Sequence, residues 1–297
     1  MTSPKLYGVI GWPIKHSLSP AMHNAAFKKL GIDAEYRLFE VPPEKLEDFI
    51  LNRKDVAGFN ITIPHKVRAK EILENNFSST QSKEFLYFVQ LSGAINTVRR
   101  EGGDIFYLNT DVFGFRKSLK EDLRFEPKDR DIFVIGCGGA GRAVVAALIW
   151  ESGMKANKIY VYENNDKSLA SAKGHFLKFD FIKDKLEFIS EKRISDVIKK
   201  CQLLVNTTPV GMKEGDSSPI DKKLLHDGLY VYDVVYNRET QLVKDAKLLL
   251  GKEHVSCGLG MFLYQGVFAF EFWMSSHPKG PKAPVETMRE ALTNALS

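Results

Sequence analysis

The chain is poor in cysteine and contains no long uninterrupted apolar run. Its 297 residues include three cysteines, Cys137, Cys201 and Cys257, without a Cys-x-x-Cys pair. An odd, scattered set of cysteines argues against a disulfide-held scaffold and is typical of a reducing compartment. The most apolar late stretch, residues 259–274, is interrupted by glycine, glutamine and glutamate, which indicates a buried helix and not a membrane span. The first residues also lack the apolar core of a secretory signal, so we expect a cytoplasmic protein without membrane contact.

Charge of one sign is nowhere concentrated. The 42 lysines and arginines against 37 aspartates and glutamates give a net charge of +5, spread along the chain without a basic stripe. This distribution does not predict nucleic-acid binding, whereas a mild positive balance suits anionic small molecules. The length favours about two domains.

Strand and helix patterns alternate along most of the chain, which predicts an α/β fold with parallel sheets. A polar, proline-bearing linker at residues 125–130 separates two such series and is the predicted boundary. Residues 75–92 and 276–284 are predicted as loops. Strands are predicted near 6–10, 34–41, 56–63, 131–135, 158–162, 185–189, 203–206 and 229–235, and a hairpin is predicted from strands 94–100 and 104–108. Two closing helices are predicted near 260–276 and 284–296.

The most informative stretch is residues 58–66, Gly-Phe-Asn-Ile-Thr-Ile-Pro-His-Lys. Alternation predicts a strand with Asn60 and Thr62 on a polar face and Ile63 on the apolar one, ending at the proline. The amide and the hydroxyl can bind the hydroxyl groups of a small polar ligand. Lys66 follows the strand end, where α/β sheets place functional residues, and fits acid/base or carbonyl chemistry. An edge strand followed by a solvated lysine explains the same segment.

A glycine loop occupies residues 136–142, Gly-Cys-Gly-Gly-Ala-Gly-Arg, between a predicted strand and a predicted helix. In this context the backbone N–H groups and the helix N-terminus can bind a pyrophosphate, although a glycine-rich tight turn remains an alternative.

The next predicted strand ends at Glu163, where an acid usually binds the adenosine ribose and repels a 2′-phosphate. Asn164 and Asn165 follow and supply no cation, so the local chemistry favours NAD over NADP. The alternative is a solvated Glu163 with Arg142 or Lys167 binding a phosphate.

Hydroxyl, amide and carboxylate groups also stand at three predicted turns. Ser17 and Ser19 precede a predicted helix; Ser19 before proline suits an N-cap, which leaves Ser17 for a ligand carboxylate. Asn96 and Asp111 lie in the segments 93–97 and 109–111. Each of these fits turn chemistry by itself, and Asp111 also fits a cap of the helix after it.

Taken together and in this order, these segments resemble the shikimate dehydrogenases over nearly the whole chain. Residues 206–212 (Asn-Thr-Thr-Pro-Val-Gly-Met), residues 258–261 (Gly-Leu-Gly-Met) and Gln265 complete the pattern. The resemblance implies reversible NAD(P)-linked reduction of 3-dehydroshikimate to shikimate, in the biosynthesis of chorismate and aromatic amino acids. It also implies an N-terminal α/β substrate domain, residues 1–124, and a Rossmann-type doubly wound cofactor domain, residues 125–276. The C-terminal helices should pack back, with a helix at about 277–297 returning to the first domain.

The resemblance also implies residue roles. Lys66 and Asp111 would form the catalytic pair, and Ser17 and Ser19 would hold the substrate carboxylate. The ring hydroxyls would be held by Asn60, Thr62, Asn96, Asp111, Tyr236 and Gln265. The cofactor would be bound by Gly136, Gly138, Gly139, Ala140, Arg142, Glu163, Asn164, Val234 and Gly258. No metal is implied.

The chain departs from the family pattern at two places. Residues 163–165 replace the Asn-Arg-Thr of NADP-dependent members, which resembles the NAD-using quinate/shikimate branch. Arg238 stands where a proline is usual, whereas Ser19 favours shikimate over quinate. A quinate/shikimate dehydrogenase and a catalytically silent nucleotide-sensing module remain alternatives, the second disfavoured by Lys66 with Asp111. The family includes both monomers and homodimers.

Overall fold

The computed structural model describes residues 4–77, 83–150, 155–275 and 280–296. Within them, strands and helices alternate as predicted. In chain order the elements are β1 Lys5–Gly11, α1 Ser19–Leu30, β2 Ala34–Glu40, α2 Leu46–Asn52, β3 Val56–Ile61, α3 Lys66–Asn76, α4 Lys83–Ser92, β4 Thr97–Glu101, β5 Asp104–Leu108, α5 Thr110–Glu121, β6 Asp131–Ile135, α6 Gly139–Ile149, β7 Lys158–Tyr162, α7 Asp166–Phe176, β8 Leu186–Phe188, α8 Ile194–Ile198, β9 Leu203–Asn206, β10 Tyr230–Asp233, α9 Gln241–Leu250, β11 Val255–Cys257, α10 Leu259–Met274 and α11 Val285–Leu296.

The chain divides into two compact units, residues 1–114 with 263–297, and residues 115–262. Both divisions fall within continuous helices, α5 and α10, where no change of composition marks them. The predicted boundaries, after residues 124 and 276, therefore lie later in the chain, and the polar linker 125–130 belongs inside the second unit.

The first unit contains a mixed sheet in the strand order β2-β1-β3-β4-β5. Strands β2, β1 and β3 are parallel, and β4 pairs antiparallel with both β3 and β5. The β4–β5 hairpin turns at Gly102 and Gly103, whose φ angles of 60° and 94° favour glycine. Helix α11 packs on α1 and buries Met288 and Leu292.

Strand β3 differs from its prediction. It lies in the middle of the sheet and ends at Ile61, so that Phe59, Asn60 and Ile61 are all buried. The predicted separation into a polar and an apolar face, with the strand continuing to the proline, is wrong, because neighbouring elements cover both faces of a central strand. Ile63 lies beyond the strand and is 57% exposed.

The second unit contains a parallel sheet in the strand order β8-β7-β6-β9-β10-β11. Numbered within the unit, this order is 3-2-1-4-5-6, which confirms the predicted Rossmann-type doubly wound sheet. The apolar runs of its central strands, such as Ile132-Phe133-Val134, are fully buried, as expected for strands covered on both faces.

Some elements were not predicted. Most of the predicted loop 75–92 is the end of α3 and helix α4, which buries Phe88, Val89 and Leu91; residues 78–82 lie outside the described part. Strand β11 has only three residues, and its pairing with β10 defines it. Of the predicted loop 276–284, residues 280–284 are indeed non-helical, and residues 276–279 lie outside the described part. Among the described residues, no helix combines the length and apolarity needed to cross a membrane.

Candidate active site

Lys66 and Asp111 form a largely buried ion pair in the first unit. The distance between Lys66 Nζ and Asp111 Oδ2 is 2.5 Å, and the two side chains are 12% and 6% exposed. The topology explains this meeting. Strands β3 and β5 point the same way because β4 runs opposite to both, so α3 and α5 begin at the same edge of the sheet.

Asn96 holds the other side of the Asp111 carboxylate. It directly precedes β4, at this same edge, and is buried. Its Nδ2 donates to Asp111 Oδ1 and to Thr110 Oγ1, both at 2.9 Å, while its Oδ1 accepts from the Thr110 N–H at 2.7 Å. Both carboxylate oxygens of Asp111 therefore have a donor, one from the lysine and one from the amide.

Asp111 does not cap helix α5, so that alternative is wrong. Its own N–H donates to Asn109 Oδ1 at 3.1 Å, and the N–H of Thr110 is bonded by Asn96. Two asparagine side chains thus satisfy the first N–H groups of α5 and leave the Asp111 carboxylate to face Lys66. Asn109 and Thr110 were part of the quoted motif, but their supporting roles were not predicted.

The two serines contact each other. Ser17 Oγ donates to Ser19 Oγ at 3.2 Å, and the Ser19 N–H donates to Ser17 Oγ at 3.3 Å. Ser19 is the first residue of α1 and makes no capping bond; Leu18 occupies the N-cap position, with αR backbone angles. The predicted N-cap role of Ser19 is therefore wrong, because its hydroxyl turns to side-chain partners.

Asn60 is buried at the end of β3 and bonded on both sides of its amide. Its Oδ1 accepts from Tyr36 Oη at 2.7 Å, and its Nδ2 donates to Thr97 Oγ1 at 3.0 Å. Thr62 lies just after the strand and is half-buried, and Gln265 is a buried residue of α10 in the same unit. Thr97 lies in the quoted segment 93–97 but was given no role, and no quoted segment contains Tyr36.

The glycine loop of the second unit shows the three glycine roles of a dinucleotide site. Gly136 turns the chain after β6 with φ 87°. A Cβ on Gly141 would lie 2.5 Å from the Gly136 carbonyl oxygen, so only glycine permits this close packing of helix against strand. A Cβ on Gly138, the N-cap of α6, would meet nothing within 4 Å. Open space before the N-terminus of α6, at Gly139 and Ala140, fits a pyrophosphate.

Glu163 is fixed against this loop. Its Oε2 accepts from the Cys137 N–H at 2.8 Å and its Oε1 from the Asn165 N–H at 2.9 Å. The carboxylate thus stands directly after β7, the position from which an acid reaches the adenosine ribose. Asn164 beside it is exposed.

Arg142 is buried, unlike a surface arginine that binds a phosphate. It is 4% exposed, and its Nη2 donates to Ser171 Oγ of α7 at 2.7 Å. The structure therefore places Arg142 as a buried link between α6 and α7. Lys167, in the first turn of α7, is exposed.

The remaining predicted residues lie after β10 and before α10. A Cβ on Gly258 would overlap the Val234 carbonyl group, which explains the glycine. The Tyr236 ring stacks on Phe262 with centroids 4.1 Å apart, and burial raises the pKa of Tyr236 to about 12. Tyr236 belongs to the second unit, whereas the other predicted substrate residues belong to the first.

An unpredicted carboxylate, Asp233, joins the loops that follow β9 and β10. Its Oδ1 accepts from Asn206 Nδ2 at 2.9 Å and from the Val235 N–H at 3.1 Å, and its Oδ2 accepts from Thr240 Oγ1 at 2.7 Å. Burial raises the pKa of Asp233 to about 6, against the effect of these bonds. The sequence signal that could have pointed to Asp233 is an acid at the end of an apolar strand, Tyr-Val-Tyr-Asp.

These contacts define a class of protein: an oxidoreductase with a lysine–carboxylate pair among amides and hydroxyls in one unit and a dinucleotide-binding loop in the other. In the part of the chain that the structure describes, no group of three or more His, Cys, Asp or Glu side chains is placed to hold a metal ion.

Comparison with known proteins gives the family. Residues 9–98 match the family model of the shikimate dehydrogenase substrate binding domain. A shikimate dehydrogenase (NADP(+)) of Methanopyrus kandleri is 39% identical, over 97% of this chain and 95% of its own. The chain belongs to the shikimate dehydrogenase family, and the resemblance found in the sequence is confirmed.

Solved structures agree with this assignment. Shikimate dehydrogenase from Aquifex aeolicus has a TM-score of 0.80 at 33% identity, covering 98% of both chains. Shikimate 5-dehydrogenase from Listeria monocytogenes, solved in complex with shikimate and NAD, has a TM-score of 0.79 at 30% identity, covering 98% of this chain and 97% of that one.

Proposed function

We propose that this chain catalyses the reversible reduction of 3-dehydroshikimate to shikimate with a nicotinamide dinucleotide, a step of chorismate and aromatic amino acid biosynthesis. The observation that carries the proposal is the Lys66–Asp111 pair, 2.5 Å apart and largely buried. Around it stand the amides and hydroxyls expected for a small polyhydroxylated acid. Residues 1–114 with 263–297 would bind the substrate, and residues 115–262 the cofactor.

Lys66 supplies the proton that the reaction needs. A carbonyl that accepts a hydride becomes an alkoxide, and a lysine ammonium beside that oxygen can protonate it as the charge develops. In the reverse direction the same amine takes the proton from the hydroxyl. When bound, the nicotinamide supplies or accepts the hydride.

Asp111 and Asn96 keep the lysine in place. Asp111 Oδ2 faces Nζ, and the bond from Asn96 Nδ2 to Oδ1 prevents the carboxylate from rotating away. Because the Asn96 amide nitrogen donates to Thr110 and Asp111, we assign Asn96 chiefly to positioning and Asp111 to the contact with a ring hydroxyl. Ser17 and Ser19 would donate their hydroxyls to the substrate carboxylate.

The cofactor would bind with its pyrophosphate on residues 136–140 and its adenosine ribose on Glu163. We infer a preference for NAD, although the Methanopyrus kandleri relative is named for NADP(+). The support is electrostatic. Two backbone N–H groups hold the Glu163 carboxylate in place, so it cannot turn away from a 2′-phosphate, and Asn164 and Asn165 provide no cation to offset the repulsion.

A four-way assay tests the proposal. Initial rates are measured with shikimate or quinate as the substrate and NAD or NADP as the cofactor, with the Lys66→Ala variant in parallel. We expect turnover of shikimate that depends on Lys66, with a higher kcat/KM for NAD than for NADP. No turnover of shikimate with either cofactor would contradict the activity, and a higher kcat/KM with NADP would contradict only the cofactor preference.

A further inference from the structure

Tyr36 is a buried residue of β2 that lies outside every segment quoted above for the family resemblance. It is 2% exposed, and its hydroxyl donates to Asn60 Oδ1 at 2.7 Å. Burial raises the pKa of Tyr36, an effect that the nearby Ser19 side chain opposes. The phenol therefore directly contacts a residue proposed to hold a ring hydroxyl of the substrate.

From this oxygen a continuous array of hydrogen bonds reaches the Lys66–Asp111 pair. The bonds run from Tyr36 to Asn60 (2.7 Å), from Asn60 to Thr97 (3.0 Å), from Thr97 to Asn96 (3.0 Å) and from Asn96 to Asp111 (2.9 Å), which Lys66 meets at 2.5 Å.

The direction of each bond matters. A phenol has one hydrogen, and Tyr36 gives it to Asn60 Oδ1, while Asn60 Nδ2 donates to Thr97 Oγ1 at 3.0 Å and to the Asn96 carbonyl at 3.3 Å. Loss of the phenol would leave the amide nitrogen held but would take this donor away from the amide oxygen. The hydroxyl thus holds the oxygen end of the Asn60 amide.

Tyr36 is itself rigidly held. Its N–H donates to Asn24 Oδ1 at 2.8 Å and its carbonyl accepts from Asn24 Nδ2 at 3.0 Å, which ties β2 to α1. Its ring stacks on His23 with centroids 4.4 Å apart and planes inclined by 17°. His23 is fully buried, and burial lowers its pKa to about 3, so it presents a neutral, flat face.

His23 adds a second observation. Neither of its ring nitrogens has a hydrogen-bond partner within the described residues, an arrangement that is uncommon and costs free energy. This cost is offset if the role of the His23 ring is to stack under Tyr36 and hold it in place.

We propose that Tyr36 is a positioning residue, whose hydroxyl holds the Asn60 side chain and thereby the place of a substrate ring hydroxyl relative to Lys66. This inference rests on the proposed dehydrogenase function. Tyr36 would then contribute to substrate specificity without contacting the substrate.

The first test compares Tyr36→Phe with Tyr7→Phe. Tyr7 is a matched control: it lies on the adjacent strand β1, is 5% exposed, and its ring packs on Trp273, as that of Tyr36 does. We expect Tyr36→Phe to raise the KM for shikimate about tenfold, the effect of one lost buried hydrogen bond, with the KM for the cofactor unchanged. Tyr7→Phe should leave both constants near those of the wild type. Circular dichroism shows that each variant is folded.

The second test is a double-variant cycle with Asn60→Ala. If Tyr36 acts through Asn60, the double variant should raise the KM for shikimate by less than the product of the single effects, whereas Tyr7→Phe with Asn60→Ala should be multiplicative. A merely structural tyrosine would lower the active fraction without changing the KM. An unchanged KM in Tyr36→Phe, or a multiplicative cycle, overturns the inference while the wild type remains active. A wild type without shikimate turnover overturns the proposed function as well.

Discussion

The Lys66–Asp111 contact predicts how the two residues share one catalytic step. The perturbations are Lys66→Ala, which removes the proton donor, Asp111→Asn, which keeps the shape but removes the charge, and the double variant. The Nζ–Oδ2 distance of 2.5 Å and the low exposure of both side chains indicate that Lys66 depends on Asp111 for its position.

The magnitude follows from the role. Loss of a positioned acid/base group lowers kcat by about 10²-fold or more, which is about 2.7 kcal/mol of activation free energy. We expect this for Lys66→Ala, with little change of the KM. Independent losses of similar size would multiply to about 10⁴-fold in the double variant. Residues that act as one unit do not multiply, so we expect the double variant within about threefold of Lys66→Ala.

The assay follows the reduced cofactor by absorbance at saturating shikimate. Lys70→Ala is a matched control, because Lys70 lies on the same helix α3 and pairs with Glu74 at 2.5 Å, away from Asp111. Its kcat should equal that of the wild type. An unaltered kcat in Lys66→Ala would remove this lysine from the mechanism, and a fully multiplicative double variant would show that the ion pair is not a functional unit.

Further predictions concern the cofactor, the carboxylate site and pH. Glu163→Ala should relax the preference for NAD by removing the carboxylate that repels a 2′-phosphate; an unchanged ratio of kcat/KM for NAD and NADP would refute the electrostatic argument. Ser17→Ala should raise chiefly the KM for shikimate, and an unaltered KM would return this serine to a local structural role. Because burial raises the pKa of Asp233 from 3.8 to about 6, the folded protein binds this proton more tightly than the unfolded chain, so the free energy of unfolding contributed by Asp233 should fall as the pH rises through that range. Asp233→Asn should remove this decrease, about 3 kcal/mol in all, as measured by urea denaturation between pH 4 and pH 7; the same slope in wild type and variant would contradict the assignment.

Local patterns in the sequence were sufficient for the class of fold and for the functional segments. Alternating strands and helices gave the α/β class, and the glycine loop 136–142 between a strand and a helix predicted a pyrophosphate site. Each of these depends on backbone geometry within a few residues, which is why a local pattern can specify it. Lys66 was identified in the same way, as a polar residue after a predicted strand end, whereas the catalytic role of Asp111 came from the family resemblance.

Only the tertiary structure decided what these residues contact. Burial of both faces of β3 depends on its central place in the sheet. The Asn60 side chain of β3 meets the Tyr36 hydroxyl of β2 across β1, the strand that lies between them. Asn96 reaches Asp111 because β4 reverses direction between two parallel-pointing strands. A hydrogen bond between residues far apart in the chain leaves no periodic trace in the sequence. For that reason the sequence alone could name Asn60 and Lys66, while the contact of Tyr36 with Asn60 became visible only in the folded sheet.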